Sequence, residues 1–285
     1  MNMNRQLALT WLNGHVAIRR CRHGFLAYNT SDNVIGESID RYGEWAEIEV
    51  GLMCEFLTPG DTALDIGANN GTHAIALAQA VGPSGAVYCF EPQPYVFRLL
   101  MTNLCLNELQ WCQAFQCGIS DTPGSAWLPG YDYTENRNYG AIPLNGYNPG
   151  IPVSEAELNR KVHVDLRTID GLKLIACNLI KIDAEGMEEQ VLRGGEATIA
   201  RFRPVIYAEN NDRARSQGCL DWLLSHGYVV YFHNPAAYNP DNFYHNPNDM
   251  FGSACEQNII AIPEERHTRE LPLVRARSAA DFLEK

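Results

Sequence analysis

The chain has 285 residues, of which one-fifth are charged, and 34 carboxylate side chains against 22 Lys and Arg leave a net charge of −12. That length can bury a sizeable core as one large domain, or one domain with an appended piece. The apolar content argues against disorder, and the acidic balance argues against unspecific binding to nucleic acid or to an anionic membrane surface. Nine cysteines form no CxxC pair and are scattered through apolar stretches, as expected of reduced thiols without a disulfide framework or zinc knuckle. The apolar patch near the N-terminus is short, and no run approaches transmembrane length, so the expectation is a cytoplasmic protein.

In chain order, residues 1–60 read as a lead-in or cap rich in Tyr, Trp and Glu. Within it, residues 44–57 have the pattern of an amphipathic helix, stopped by Thr58-Pro59-Gly60-Asp61. From residue 61 to 265 short apolar runs alternate with helical patterns. Strands are expected at 62–66, 86–90, 114–119, 179–182 and 205–208. Helices are expected at 72–81, 94–109, 187–200 and 219–225. This alternation predicts an α/β fold with a Rossmann-like parallel sheet and helices on both faces. The rhythm breaks at the end, where 228–233 and 258–262 read as two strands with no helix between them. They make an antiparallel pair at one sheet edge and bring the sheet to seven strands. Residues 266–285 remain as a tail, and an exposed sheet edge or the lead-in helix would suit a homodimer.

One segment, 127–152, does not fit the alternation. WLPGYDYTENRNYGAIPLNGYNPGIP holds four Tyr, one Trp, four Pro and four Gly, too many breakers for a helix and too many aromatics for a disordered linker. An ordered surface loop and a lid or substrate wall both account for it.

In an open α/β sheet, ligands bind beyond the carboxyl ends of the strands. The first strand ends in Asp65 and Gly67-Ala68-Asn69-Asn70-Gly71, the second in Glu91-Pro92-Gln93 and the third in Gly118-Ile119-Ser120-Asp121. The fourth ends in Asp183-Ala184-Glu185-Gly186, the fifth in Glu209-Asn210-Asn211-Asp212. Glycines permit positive φ and close approach of a ligand, and helix-start N–H groups welcome an anion. Asn69, however, replaces the middle glycine of a dinucleotide fingerprint, and Asp65 would repel a pyrophosphate. Asp65 suits a positive centre, while Glu91 stands where an acid holds a ribose diol. An amine, a carboxylate, a sulfonium and a ribose together describe S-adenosylmethionine.

At these residues a resemblance is plain. LDIGANNG, FEPQP, LIKIDAEG and QNIIAIP resemble the FkbM family of S-adenosylmethionine-dependent methyltransferases, from Tyr42 to Pro263. The resemblance implies the seven-stranded class I methyltransferase fold and O-methyl transfer to a hydroxyl of a small molecule such as a sugar, glycoside or polyketide-type natural product. It implies that Asp65, Gly67, Asn69 and Gly71, with Asn70 and Thr72 beside them, line the methionine part of the cofactor. Glu91, with Gln93, would bind the ribose, Gly118 and Ile119 would lie by the adenine edge, and Asp183 near the sulfonium and the substrate.

A sugar or alkyl hydroxyl is a poor nucleophile until a base or a metal draws off its proton. Asp183 or Glu209 is the expected base, with His233 a further candidate and His73 a neighbour of the cofactor loop. Alternatively Asp183, Glu209 and Asn210 would hold Mg²⁺ or another divalent cation, an arrangement that resembles the metal site of catechol O-methyltransferases. The acids of Glu185, Glu188 and Glu189 are equally explained by a helix start, where the macrodipole favours them. Two other classes stay open: a non-catalytic S-adenosylmethionine-binding protein, and a nucleotide-sugar or dinucleotide enzyme on a similar sheet. The second lacks its glycine and its Tyr-x-x-x-Lys pair.

Overall fold

The computed structural model describes residues 11–144 and 151–283. The lead-in opens with a three-stranded meander, β1 (Trp11–Asn13), β2 (Val16–Cys21) and β3 (Gly24–Asn29). Two short helices follow, α1 (Ile35–Tyr42) and α2 (Glu47–Cys54). The single amphipathic helix expected over 44–57 is shorter and preceded by α1, because Gly43 in the left-handed region ends α1 and Ala46, at φ 54, starts α2 afresh.

The main sheet begins with β4 (Thr62–Ile66), followed by α3 (Thr72–Val81), β5 (Ala86–Phe90), α4 (Pro94–Leu106) and β6 (Cys112–Phe115). An excursion then forms a second small sheet from β7 (Gly118–Ile119), β8 (Gly124–Pro129) and β9 (Lys161–Arg167), with α5 (Glu155–Asn159) before β9. The strand expected over 114–119 is therefore divided: its first half pairs with β5, its second with β9. The chain returns through β10 (Leu179–Ile182), α6 (Glu188–Arg193), α7 (Glu196–Phe202), β11 (Val205–Glu209) and α8 (Arg213–Ser225). It closes with β12 (Tyr228–His233), β13 (Asn258–Pro263) and β14 (Val274–Ala276). The helix expected over 187–200 is broken at Gly194-Gly195. A Cβ on Gly194 would stand 2.0 Å from the Ser120 carbonyl oxygen, so the backbone of that turn packs directly on the end of β7.

The main sheet has the order β14-β12-β13-β11-β10-β4-β5-β6. From β11 to β6 neighbouring strands are parallel. Against them β13 runs antiparallel, and it inserts between β11 and β12 rather than lying at the edge. The tail adds β14 as an eighth, outermost strand, because the edge of β12 offers it an unpaired ladder. The fold is α/β with a Rossmann-like sheet, as the sequence leads one to expect, with one strand more.

Strand residues alternate between two cores. Ala63, Val87, Leu179 and Val205 face α3, α4 and the lead-in, whereas Leu64, Ile180, Ile206 and Val230 face α6, α7 and α8. Strands covered on both faces read as continuous apolar runs, which is why they were visible in the sequence. Lead-in residues Leu26, Tyr28 and Ile39 belong to the first core, so this segment is packed into the domain. A satellite cluster of Leu128, Tyr139, Ile142, Ile151 and Val164 anchors the aromatic segment, of which residues 145–150 lie outside the described ones. All nine cysteines are free. Among the described residues no helix is long and apolar enough to cross a membrane.

Candidate active site

From β4 the chain leads outward to β5 and β6 on one side and to β10 and β11 on the other, so the switch point lies between β4 and β10. There Gly67 takes φ 74, and its N–H and that of Ala68 both donate to the Phe90 carbonyl at 3.0 Å. A Cβ on Gly67 would stand 1.8 Å from the Asp183 carbonyl oxygen. Only glycine permits this contact between the ends of two parallel strands. Asn69, at φ 48, turns its N–H onto Glu91 Oε2 at 3.0 Å, and the Gln93 N–H reaches Glu91 Oε1 at 2.8 Å. Glu91 is nearly inaccessible, and burial pushes its pKa up to about 7 against the pull of those two amides.

Beneath the loop lies a charge that the sequence reading did not use. Lys181, in the middle of β10, is 3 % exposed. Its Nζ donates to the Gly67 carbonyl at 2.8 Å and stands 3.3 Å from Asp65 Oδ1 and 3.3 Å from Asp183 Oδ2. Burial opposes its charge, but the two carboxylates outweigh burial and raise its pKa. The signal was present in LIKIDAEG: a lysine in a strand covered on both faces has to find an anion.

A cavity of about 280 Å³ opens across these strand ends, near the lower end of the roughly 300–1,000 Å³ common for small-molecule sites. On the β4–β5 side Gly67, Asn69, Glu91 and Gln93 line it, with Gly118 and Ile119 of β7. On the β10–β11 side stand Asp183, Glu185, Glu209 and Asn211, with Glu256 from the loop before β13. Val34, Ile35 and Trp45 of the lead-in and residues 138–144 of the aromatic segment complete the wall. These last two regions are sewn together. Asn33 Nδ2 donates to Asn136 Oδ1 at 2.9 Å, and the Arg137 N–H to the Ser31 carbonyl at 3.1 Å. The Tyr133 hydroxyl donates to Gln93 Oε1 at 3.0 Å while Gln93 Nε2 donates to the Tyr139 carbonyl at 2.9 Å. Gln93 thus ties the segment to the end of β5.

The structure gathers Gly67, Asn69, Glu91, Gln93, Gly118, Ile119, Asp183 and Glu209 on one cavity. Other expected site residues lie off its wall. Asp65 is fully buried under the loop as the partner of Lys181. Asn70, Gly71 and Thr72 shape the turn: the Asn70 carbonyl accepts from Asn103 Nδ2 at 2.7 Å, Gly71 sits against Leu100, and Thr72 is buried at the start of α3. His233 is a correction. It points into the buried interior of β12, where its Nδ1 and the Tyr207 hydroxyl share a hydrogen bond of 2.8 Å, and desolvation lowers its pKa. His73 is likewise buried, 3.7 Å from Glu49. Asn210 is a second correction: it is buried and is not on the main cavity, which Glu209 and Asn211 reach, and all three border a water-sized void with Ser216. Glu185 takes the place expected of Asn210, and ligand oxygens of Asp183, Glu185 and Glu209 lie within 4.8 Å of one another.

A glycine-turned strand end beside a buried acid on the next strand, in a sheet where a reversed strand, β13, inserts between β11 and β12, is the arrangement of a class I methyltransferase. Residues 65–230 match the methyltransferase FkbM domain, and the chain belongs to that family. It is 30 % identical over 194 residues to the 2-O-methyltransferase NoeI of Sinorhizobium fredii, covering 61 % of this chain and 75 % of that one. It is 28 % identical over 197 residues to the 31-O-demethyl-FK506 methyltransferase FkbM of Streptomyces tacrolimicus, with the same coverage. A solved structure of methyltransferase FkbM from Methylobacillus flagellatus is 16 % identical, with a TM-score of 0.46 over 75 % of this chain and 50 % of that chain.

Proposed function

We propose that this methyltransferase takes its methyl group from S-adenosylmethionine and delivers it to a hydroxyl oxygen of a small molecule. The observation that carries the reading is the Gly67 backbone on the cavity wall, pressed so closely on the Asp183 carbonyl that no side chain fits between them, one strand from the buried Glu91. The O-methyltransferases NoeI and FkbM among the relatives support oxygen as the acceptor atom. Gly67 and Asn69 would hold the methionine part, Glu91 the ribose, and Gly118 with Ile119 the adenine edge. The cofactor supplies an electrophilic methyl on a sulfonium. The protein supplies position and a base. Glu209 suits the base by position: it lines the cavity beside Asp183, and Asp183 is already engaged by Lys181. As the acceptor oxygen bonded to the methyl carbon, the carbon–sulfur bond would break with its electron pair left on sulfur as the thioether, and the hydroxyl proton would pass to the Glu209 carboxylate.

The residues do not fit a divalent cation. Asn210 does not reach the cavity, and the acids that do converge share Asp183 with the fixed ammonium of Lys181, which would face the ion at close range.

Calorimetric titration of the purified chain with S-adenosylhomocysteine checks the reading. Micromolar binding is expected, lost on Gly67→Ala and weakened on Glu91→Ala, with both variants inspected for folding by circular dichroism. A folded wild-type chain that binds neither the product nor the cofactor would remove the reading and leave a scaffold for another ligand.

A further inference from the structure

We infer that the methyl acceptor carries an ammonium group, an amino alcohol or amino sugar in chemical class, and that Glu185 and Glu209 at the β10–β11 side of the cavity receive that group. The inference rests on the proposed function and concerns the half of the same cavity that remains once the cofactor is placed.

The cavity is defined by the glycine cradle and the family to which the chain belongs; the acids decide only what charge it accepts. Its wall includes Glu91, Asp183, Glu185, Glu209 and Glu256 and, among the described residues, no Lys, Arg or His. The charges can be counted. Glu91 is held by two backbone amides. Asp65 and Asp183 share the one ammonium of Lys181, a surplus of one negative charge that the sulfonium cofactor, with its net single positive charge, would answer. Of the other acids on the wall, Glu256 comes from the loop before β13, and Glu185 and Glu209 are the pair that follows the strand ends of β10 and β11. Among the described residues neither has a Lys or Arg within ion-pair distance, and the amide of Asn211 is the side-chain donor to Glu209.

The ordinary explanation for Glu185, an acid serving a helix start, does not apply. Glu188 does that work, its Oε1 accepting from the N–H groups of Ala184 and Gly186 at 3.1 and 3.0 Å. Glu185 instead stands in the left-handed region, at φ 51, with its side chain on the cavity. Burial first, and then the like charges of Asp183, Glu188 and Glu256, raise both pKa values, although Lys181 opposes the shift at Glu185 and the Arg215 guanidinium reaches the Glu185 carbonyl oxygen at 3.5 Å. An ammonium seated between the two carboxylates reverses that repulsion, whereas a phosphorylated or carboxylated acceptor adds to it.

Three small hydroxyl compounds that differ mainly in charge test this: ethanolamine, ethylene glycol and glycolate. Each is titrated into the full chain saturated with S-adenosylhomocysteine, at about pH 8 in two buffers of different ionisation heat. Ethanolamine is expected to bind about tenfold or more tightly than ethylene glycol, with glycolate weakest. Its binding should release protons, seen as a buffer-dependent heat, because it draws Glu185 and Glu209 into the ionised form. Glu185→Gln should abolish the preference while leaving affinity for S-adenosylhomocysteine unchanged.

Equal affinity for the three probes, or a preference for glycolate, overturns the inference and leaves the cofactor reading standing. So does a preference for ethanolamine that survives in Glu185→Gln, or Mg²⁺ displacing ethanolamine at equal concentration, which would make the acids a metal site. Failure of S-adenosylhomocysteine itself to bind is the separate failure of the proposed function, and it overturns this inference with it.

Discussion

The two sides of the cavity are built by different means. On the β4–β5 side the groups are short-range neighbours in sequence: Gly67 and Asn69 in one turn, Glu91 and Gln93 in the next, locked by backbone N–H donors. On the β10–β11 side the groups are side chains crowded together by strand order. Asp183, Glu185 and Glu209 repel one another, and the nearest cation is Lys181 behind them. The first side is held in place by backbone hydrogen bonds. The second holds unfavourable charge that a ligand can relieve, which is how a site keeps a conformation the free chain would not choose.

That contrast breaks most sharply at Lys181, the residue that both sides share. Lys181→Met should destabilise the fold by about 3–5 kcal/mol, since it leaves Asp65 as an uncompensated charge in the interior. Urea denaturation would measure the loss. The double variant Asp65→Leu/Lys181→Met should recover most of it, and an additive double variant would show that the pair is not coupled.

Next in size is the pH response of Glu91. Its folded pKa of about 7 lies above the usual carboxylate value of 4.5, so between those values the folded state binds more protons than the unfolded. Its contribution is therefore present below the unfolded value and is lost as pH rises towards about 7, by on the order of 3 kcal/mol. Glu91→Gln should flatten that decline and be more stable than the wild type at about pH 8, yet bind S-adenosylhomocysteine more weakly. Thermal melts at several pH values give the first result and calorimetry the second. A variant that is less stable throughout would mean that the two amides need the carboxylate more than burial opposes it.

The smallest effect belongs to His233, away from both sides. His233→Phe should cost about 1–2 kcal/mol by leaving the Tyr207 hydroxyl without its partner, with affinity for S-adenosylhomocysteine unchanged. A drop in affinity beyond what the stability loss explains would return His233 to the site.

Most of the fold was legible in the chain, because strands covered on both faces have to be continuous apolar runs and helices between them have to carry a periodic apolar face. LDIGANNG and FEPQP were legible for a similar reason: a glycine turn and the acid of the next strand act within a few residues of themselves. By itself the sequence determined the alternating architecture and the carboxyl-end turns that bring Gly67, Asn69 and Glu91 to the cavity. Only the tertiary structure decided which polar residues of β10, β11 and β12 meet. One residue of phase separates Glu209, on the cavity, from Asn210, off it. His233 ends a strand like the others but turns its ring into the interior, to Tyr207. Lys181 gained its meaning from Asp65, 116 positions earlier, because strand order sets β10 beside β4. Local rules govern the backbone of a turn, whereas the direction of a side chain at a strand end depends on register and on what the neighbouring strand brings, information that no short window of sequence contains.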